Sequence, residues 1–353
     1  MRFRICDFGP RIYIRKKSDF IFRCNAKNQQ IEYQRYFFYI LHIAFCKILT
    51  FVDISSRRSQ ISSGCWSRPF ALRAAGGRLV TRCRILDALK EKESGLRIGG
   101  SEIVVLEDFT ALSRRAAELL VRCISETISR KQQFTMALSG GSTPKALFSL
   151  LVEDGSFRNT IPWEKIHFFW GDERHVAPQD EQSNYRMAKE IMLAKAHVRT
   201  ENIHRMPTEQ PDAGKVAQDY EQELLKFFQL TTNQLPVFDF NLLGLGPDGH
   251  TASLFPGTSA LCEKRRLVVA NWVEKLQTHR LTMTAPLLNN ADTIVFLVSG
   301  EKKAEVLQKV LEGGHQPDLL PAQLIRPTHG RLIWLVDRAA ASKLTLQPAT
   351  RKP

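Results

Sequence analysis

Asp248 and His250 stand two residues apart, framed by Gly244, Gly246, Pro247 and Gly249, in the stretch Phe238 to Gly257, FDFNLLGLGPDGHTASLFPG. No other carboxylate and imidazole in the chain are framed so tightly by glycine. Imidazole changes charge near neutral pH, which suits it to take a proton from water, and a nearby carboxylate orients the ring and stabilises the imidazolium. An isolated DGH also reads as a solvated turn. Here Phe238, Phe240, Leu242 and Leu243 ahead of it pattern as a strand buried on both faces. Glycine lets the backbone turn sharply after such a strand, and catalytic groups concentrate where a parallel strand ends and its loop begins.

A second chemical candidate is the run Ser139, Gly140, Gly141, Ser142, Thr143, Pro144. Its glycines allow the backbone to approach an anion, and a helix after it supplies unpaired N–H groups and a positive dipole end. Ser142 or Thr143 is the expected cap of that helix, with Pro144 at its first position. The run is neither a G-x-x-x-x-G-K-[ST] loop nor G-x-G-x-x-G, so ATP and dinucleotide readings lose their support. A third candidate is Gly171-Asp172-Glu173-Arg174-His175-Val176. It reads either as a charged turn with an internal ion pair or as the place where the fixed cation Arg174 meets a phosphate or sugar oxygen. Arg280 opens an apolar strand and Lys303 opens a helix just past a strand end, so both side chains can reach over a sheet edge.

The elements that position these groups follow from periodicity. Strands are expected at Glu102 to Leu106, Phe134 to Leu138, Ile166 to Trp170, Leu267 to Val273, Arg280 to Thr284, Thr293 to Val298 and Arg331 to Val336. Helices are expected over Phe109 to Arg130, Lys145 to Val152, Asn184 to Ala194, the stretch carrying Val216, Tyr220, Leu224 and Phe227, and Lys302 to Leu311, with a short one after the last strand. Strands alternating with helices predict an α/β fold: a Rossmann-like, mostly parallel sheet with helices on both faces, in a single catalytic domain over residues 99–346.

Residues 1–98 differ from this body. They hold 20 Lys/Arg and 7 Asp/Glu, against 30 and 29 in residues 99–353, so nearly all of the formal charge of +14 lies in the extension. That location, with no recognisable binding module, argues against a nucleic-acid role. Five of the seven cysteines are there too, and no C-x-x-C or ligand-spaced His/Cys cluster occurs, so no metal site is expected and the body reads as a reduced intracellular domain. Tyr36 to Val52 is apolar but broken by His42 and Lys47, and it falls short of the roughly 20 residues of a span. No stable membrane insertion is expected. Ser55 to Arg84 is rich in Arg and Ser with no Asp or Glu, the composition of an organellar transit peptide; a misassigned start produces the same preface. The extension is expected to be poorly ordered and residues 347–353 to form a tail.

The DGH segment resembles the signature of the 6-phosphogluconolactonases. GDERHV followed by SNYRMA, the SGGSTP run and PAQLIRPTHGRLIWLVDRAAAS match the same family in the same order, over about residues 102–345. The resemblance implies hydrolysis of 6-phospho-D-glucono-1,5-lactone to 6-phosphogluconate by a cytoplasmic enzyme without a cofactor, an organelle reached through the extension being the alternative. It implies a small sugar-phosphate lactone as partner and leaves the oligomeric state open. In this frame His250 is the base and Asp248 orients it. Ser139, Gly140, Gly141, Ser142 and Thr143 with Arg280 and Lys303 anchor the phosphate, and Arg174 or N–H groups of the glycine turn meet the oxyanion. The related glucosamine-6-phosphate deaminase/isomerase family shares the fold, the phosphate loop and a DGH, but carries an acidic residue where this chain has Phe255. A non-catalytic sugar-phosphate sensor is a further alternative, against which the retained Asp248 and His250 argue.

Overall fold

Largely apolar runs build the centre of the main sheet. In the computed structural model, all five residues of Phe134–Leu138 and all six of Thr293–Val298 are buried, as expected of strands covered on both faces. The structure describes the strands 4–8, 11–15, 73–74 and 77–78 and residues 96–98, 100–231 and 234–345. The chain divides into two units, Met1–Arg82 and Cys83–Pro353. In the first unit Arg4–Phe8 pairs antiparallel with Arg11–Arg15, and Arg73–Ala74 with Gly77–Arg78. The apolar stretch Tyr36 to Val52, most of Ser55 to Arg84 and the tail 347–353 lie outside the described residues. Among the described residues no helix is long and apolar enough to cross a membrane.

The second unit runs β1 (Leu96–Ile98), β2 (Ser101–Leu106), α1 (Phe109–Lys131), β3 (Phe134–Leu138), α2 (Ser142–Glu153), β4 (Ile166–Trp170), β5 (Asp172–Arg174), α3 (Asn184–Ala188), α4 (Ala213–Phe227), β6 (Phe240–Gly244), β7 (Val268–Val273), β8 (Thr278–Met283), α5 (Ala285–Asn289), β9 (Thr293–Val298), α6 (Ala304–Glu312) and β10 (Arg331–Asp337). Seven strands form the main sheet in the order β1-β2-β10-β9-β6-β3-β4, every pair parallel except β1 with β2. The chain passes from β3 outward to β4, but from β6 outward to β9 and β10 on the other side. The direction reverses between β3 and β6, and ligands of open α/β sheets bind beyond the strand ends at such a point. The SGGS run follows β3 and the DGH loop follows β6, so the topology delivers both to one place.

β7 and β8 do not extend the parallel sheet. With β5 they form a separate three-stranded antiparallel sheet, Arg280 standing opposite both Arg174 and Asn271. The link between β7 and β8 is the short 3₁₀ turn Glu274–Leu276 with Gln277, and a connection of that length permits a hairpin but no parallel crossover.

Helix ends depart from the periodicity reading, most clearly in three places. α2 starts at Ser142, three residues before the expected Lys145. The helix expected over Asn184 to Ala194 is α for five residues and continues as a π turn, Lys189–Leu193. After β10 the described residues form no helix: the chain turns from Arg338, and Asp337 accepts the Ala340 N–H at 2.7 Å. α1 follows its pattern, with Leu112, Ala116, Leu119, Leu120 and Ile124 buried and Asp108 capping it through the Ala111 N–H.

Candidate active site

The DGH loop is built around its glycines. A Cβ on Gly246 would lie 2.0 Å from His250 Nδ1, so only glycine lets the imidazole fold back over the turn. Gly246 N–H donates to the His250 carbonyl at 2.8 Å and Gly249 N–H to the Gly246 carbonyl at 3.1 Å. Gly249 has φ +79°, and Leu320 packs where its side chain would be. Its carbonyl accepts the Ala322 N–H at 2.8 Å, which ties the loop to the segment before β10.

His250 Nδ1 lies 2.5 Å from Asp248 Oδ1, and Lys275 pairs with Asp248 Oδ2. Burial alone would raise the Asp248 carboxyl, but the hydrogen bonds from His250 and Lys275 prevail and hold it well below the usual carboxylate range. An ionised carboxylate only accepts, so Nδ1 carries the hydrogen and Nε2 keeps its lone pair. The Phe255 ring packs on the imidazole with centroids 4.2 Å apart, and Lys275 Nζ sits 4.8 Å over the same ring. Lys275 comes from the β7–β8 turn and lies 27 residues from Asp248. Sequence reasoning missed it, because a lysine in a polar turn carries no local signal.

The anion loop departs from the expected capping. Gly141, at φ +104°, is the N-cap of α2 and no side chain caps it; Pro144 is the third residue of the helix. The left-handed turn at Gly141 swings the chain into the helix before Ser142 or Thr143 can act as a cap. The first intrahelical bond joins Lys145 N–H to the Gly141 carbonyl at 3.1 Å, so the N–H groups of Ser142 and Thr143 precede the ladder. Gly140 is required by Asn184, whose Oδ1 would lie 1.9 Å from a Cβ there. Asn184 Nδ2 in turn donates to the Asp172 carbonyl at 3.0 Å.

The GDER turn holds no ion pair between Glu173 and Arg174. The Glu173 carboxylate is buried and accepts the N–H groups of Arg174, Asn184 and Tyr185 at 2.7–2.8 Å, closing the start of α3. Burial pushes its pKa up and those three donors oppose the rise. Arg174 Nη1 donates to the Gln182 carbonyl at 2.5 Å, which fixes the guanidinium.

Ser139, Gly140, Gly141, Arg174, His250 and Lys303 line one cleft of about 220 Å³, together with Asp172 and Asn184. Asp248 stands behind His250. Ser142, Thr143 and Arg280 are not part of the lining; Ser142 faces a separate groove with Phe109 and Lys145. Arg280 nonetheless stands across the ladder from Arg174. Burial lowers its pKa and the Arg174 charge lowers it further. Burial likewise lowers that of Lys303, against the pull of Asp248. Cations crowded or desolvated in this way are stabilised by an arriving anion.

A doubly wound sheet with an imidazole–carboxylate pair and nearby cations at its switch point defines an α/β protein with a cleft that presents both. The family described as glucosamine-6-phosphate isomerases/6-phosphogluconolactonase matches residues 107–334, and the chain belongs to that family. It is 44% identical over 243 residues to a 6-phosphogluconolactonase of Synechocystis sp., covering 69% of this chain and 98% of that protein. The solved 6-phosphogluconolactonase of Trypanosoma brucei superposes with a TM-score of 0.63 at 28% identity, over 70% of this chain and all of that one. A monomeric glucosamine-6-phosphate deaminase superposes with a TM-score of 0.58 at 25% identity, over 68% of this chain and 99% of that one. The predicted Rossmann-like, mostly parallel sheet is thus the fold of these relatives.

Proposed function

We propose that this chain hydrolyses 6-phospho-D-glucono-1,5-lactone to 6-phospho-D-gluconate, the lactone-opening step of the oxidative pentose phosphate pathway. The observation that carries the reading is the Asp248–His250 pair, held with its Nε2 lone pair free in a cleft that also presents Arg174 and Lys303. A δ-lactone is an activated ester, so a positioned water, a base and a stabiliser for the oxyanion are sufficient. His250 takes the proton of the water, and Asp248 orients the ring and stabilises the imidazolium. The N–H groups of Gly246, Gly249 and His250 are spent inside the turn. That leaves Arg174 as the better stabiliser of the oxyanion. The phosphate is assigned to Ser139, Gly140, Gly141 and Lys303 in the cleft lining, with the charge of Arg280, across the ladder from Arg174, adding to the attraction; its binding energy positions the lactone carbonyl against the water. No step is routed through a metal or cofactor.

Similarity to a deaminase structure makes glucosamine-6-phosphate deamination the second reading. Phe255 argues against it, since a phenyl ring carries no proton. The deciding experiment offers the purified chain both substrates. Lactone opening well above the spontaneous rate, reduced at least about 10²-fold in kcat by His250→Ala with the fold intact, is the expected outcome. Ammonia released from glucosamine 6-phosphate would overturn the assignment, and full turnover by His250→Ala would remove the histidine from the base role. For location we propose the cytoplasm, with an organelle reached through the basic extension as the alternative.

A further inference from the structure

We infer that Phe255 is a positioning residue for the Asp248–His250 pair, its ring packing against both partners of the Asp248 carboxylate. The inference rests on the lactonase reading of the site. Phe255 is only 6% exposed. Its ring lies 4.2 Å from the imidazole centroid at an interplanar angle of 30°, and Lys275 Nζ lies 4.8 Å over it. The same two groups divide the Asp248 carboxylate between them, His250 at Oδ1 and Lys275 at Oδ2.

Ring, imidazole, ammonium and carboxylate therefore form one closed cluster. The lysine side chain is about half exposed, and a long exposed side chain samples many rotamers on its own. A π face beneath Nζ narrows that choice by cation–π attraction. The ring does the same for His250 at the moment it matters: taking a proton from water turns the imidazole into a cation, and the negative face of the ring stabilises that cation. The ring also keeps water off one side of the pair. The other charged groups around the cleft, Lys303, Arg174 and Asp172, come from different elements than Phe255.

A plain core filler would be replaceable by any apolar side chain of similar volume; a π face is not. The test uses the full chain with Phe255→Leu and, at the same position, phenylalanines carrying one, two and three fluorines, which drain the ring's negative face with little change of shape. Across the fluorinated series kcat is expected to fall about 3–10-fold with KM nearly constant. The acidic limb of the kcat–pH profile is expected to move down by roughly half a pH unit, because a weaker π face leaves the imidazolium less stable and protonation then needs a lower pH. NMR titration of the His250 Cε1–H without substrate is expected to move in parallel. Unchanged kcat and titration across the fluorinated series would overturn the inference, even if Phe255→Leu lost activity or failed to fold. Failure of the lactonase reading shows differently: the unmodified chain opens no lactone, while the substrate-free titration still reports on the stack.

Discussion

His250 has one ring nitrogen committed to Asp248 and the other free, and the arrangement depends on the carboxylate staying ionised. The folded state depresses the Asp248 pKa through His250 and Lys275, against the opposing effect of burial. A depressed carboxylate contributes stability that is fully present above its unfolded pKa, about 3.9, and is lost as pH falls through the folded-state value. Asp248→Asn is therefore expected to unfold more readily than the parent at pH 7, and the gap should close as the pH drops below about 4. Parallel denaturation curves at pH 7 and pH 3 measure this; a gap that stayed constant would show that the carboxylate charge contributes nothing. Charge also decides the substrate side of the cleft. Arg280→Ala and Lys303→Ala are expected to raise KM for the phosphorylated lactone about 10-fold or more, leaving kcat/KM for the unphosphorylated lactone within about twofold. Equal losses on both substrates would mean that neither residue reads phosphate.

At the scale of elements, the site depends on how two strand ends and one short helix are held together. Glu173 does this for α3 by accepting three backbone N–H groups while buried. Glu173→Ala leaves those donors without partners, so a loss of about 2–4 kcal/mol in unfolding free energy is expected, read by thermal or denaturant melting. A change below about 0.5 kcal/mol would show that water replaces the carboxylate without cost. An internal ion pair is one of the two readings the sequence allows for this turn, because adjacent charges of opposite sign suggest one. The partners of Glu173 are the neighbouring Arg174 N–H and, about ten residues further on, the N–H groups of Asn184 and Tyr185 at the start of α3. The start of α2 was misplaced for a related reason: capping rules look for a side chain, whereas here Gly141 enters the helix through its own backbone geometry.

At the scale of the molecule, charge and chemistry occupy different parts of the chain. Most of the excess of Lys and Arg lies in residues 1–98, and the family match spans residues 107–334. A chain starting at Cys83 is expected to keep lactonase activity and thermal midpoint within error, with an isoelectric point nearer neutral. Starting at Gly99 removes β1, whose ladder pairs Leu96 with Ile103 and Ile98 with Ser101, and a lowering of the midpoint by a few degrees is expected from losing that edge strand. Collapse of the shorter chains would show that the extension is needed for folding. N-terminal sequencing of the native protein distinguishes a cleaved extension from a misassigned start.

Much of this architecture was legible without coordinates. The bounds of β3, β4 and β9 agree with those read from the sequence, since each is a short run dominated by β-branched, aromatic and other apolar residues that stops at a serine or glycine. The two glycine turns follow from equally local signals, and so does the pairing of His250 with Asp248, two residues apart. What local patterning cannot contain is which distant side chains meet. Lys275 on Asp248, Arg280 opposite Arg174 and Asn184 against Gly140 arise from strand order, ladder register and the reversal between β3 and β6. Spacing along the chain encodes period and turn, which are properties of neighbours. The pairing of groups far apart in sequence is set by how whole elements pack, and only the tertiary structure decides it.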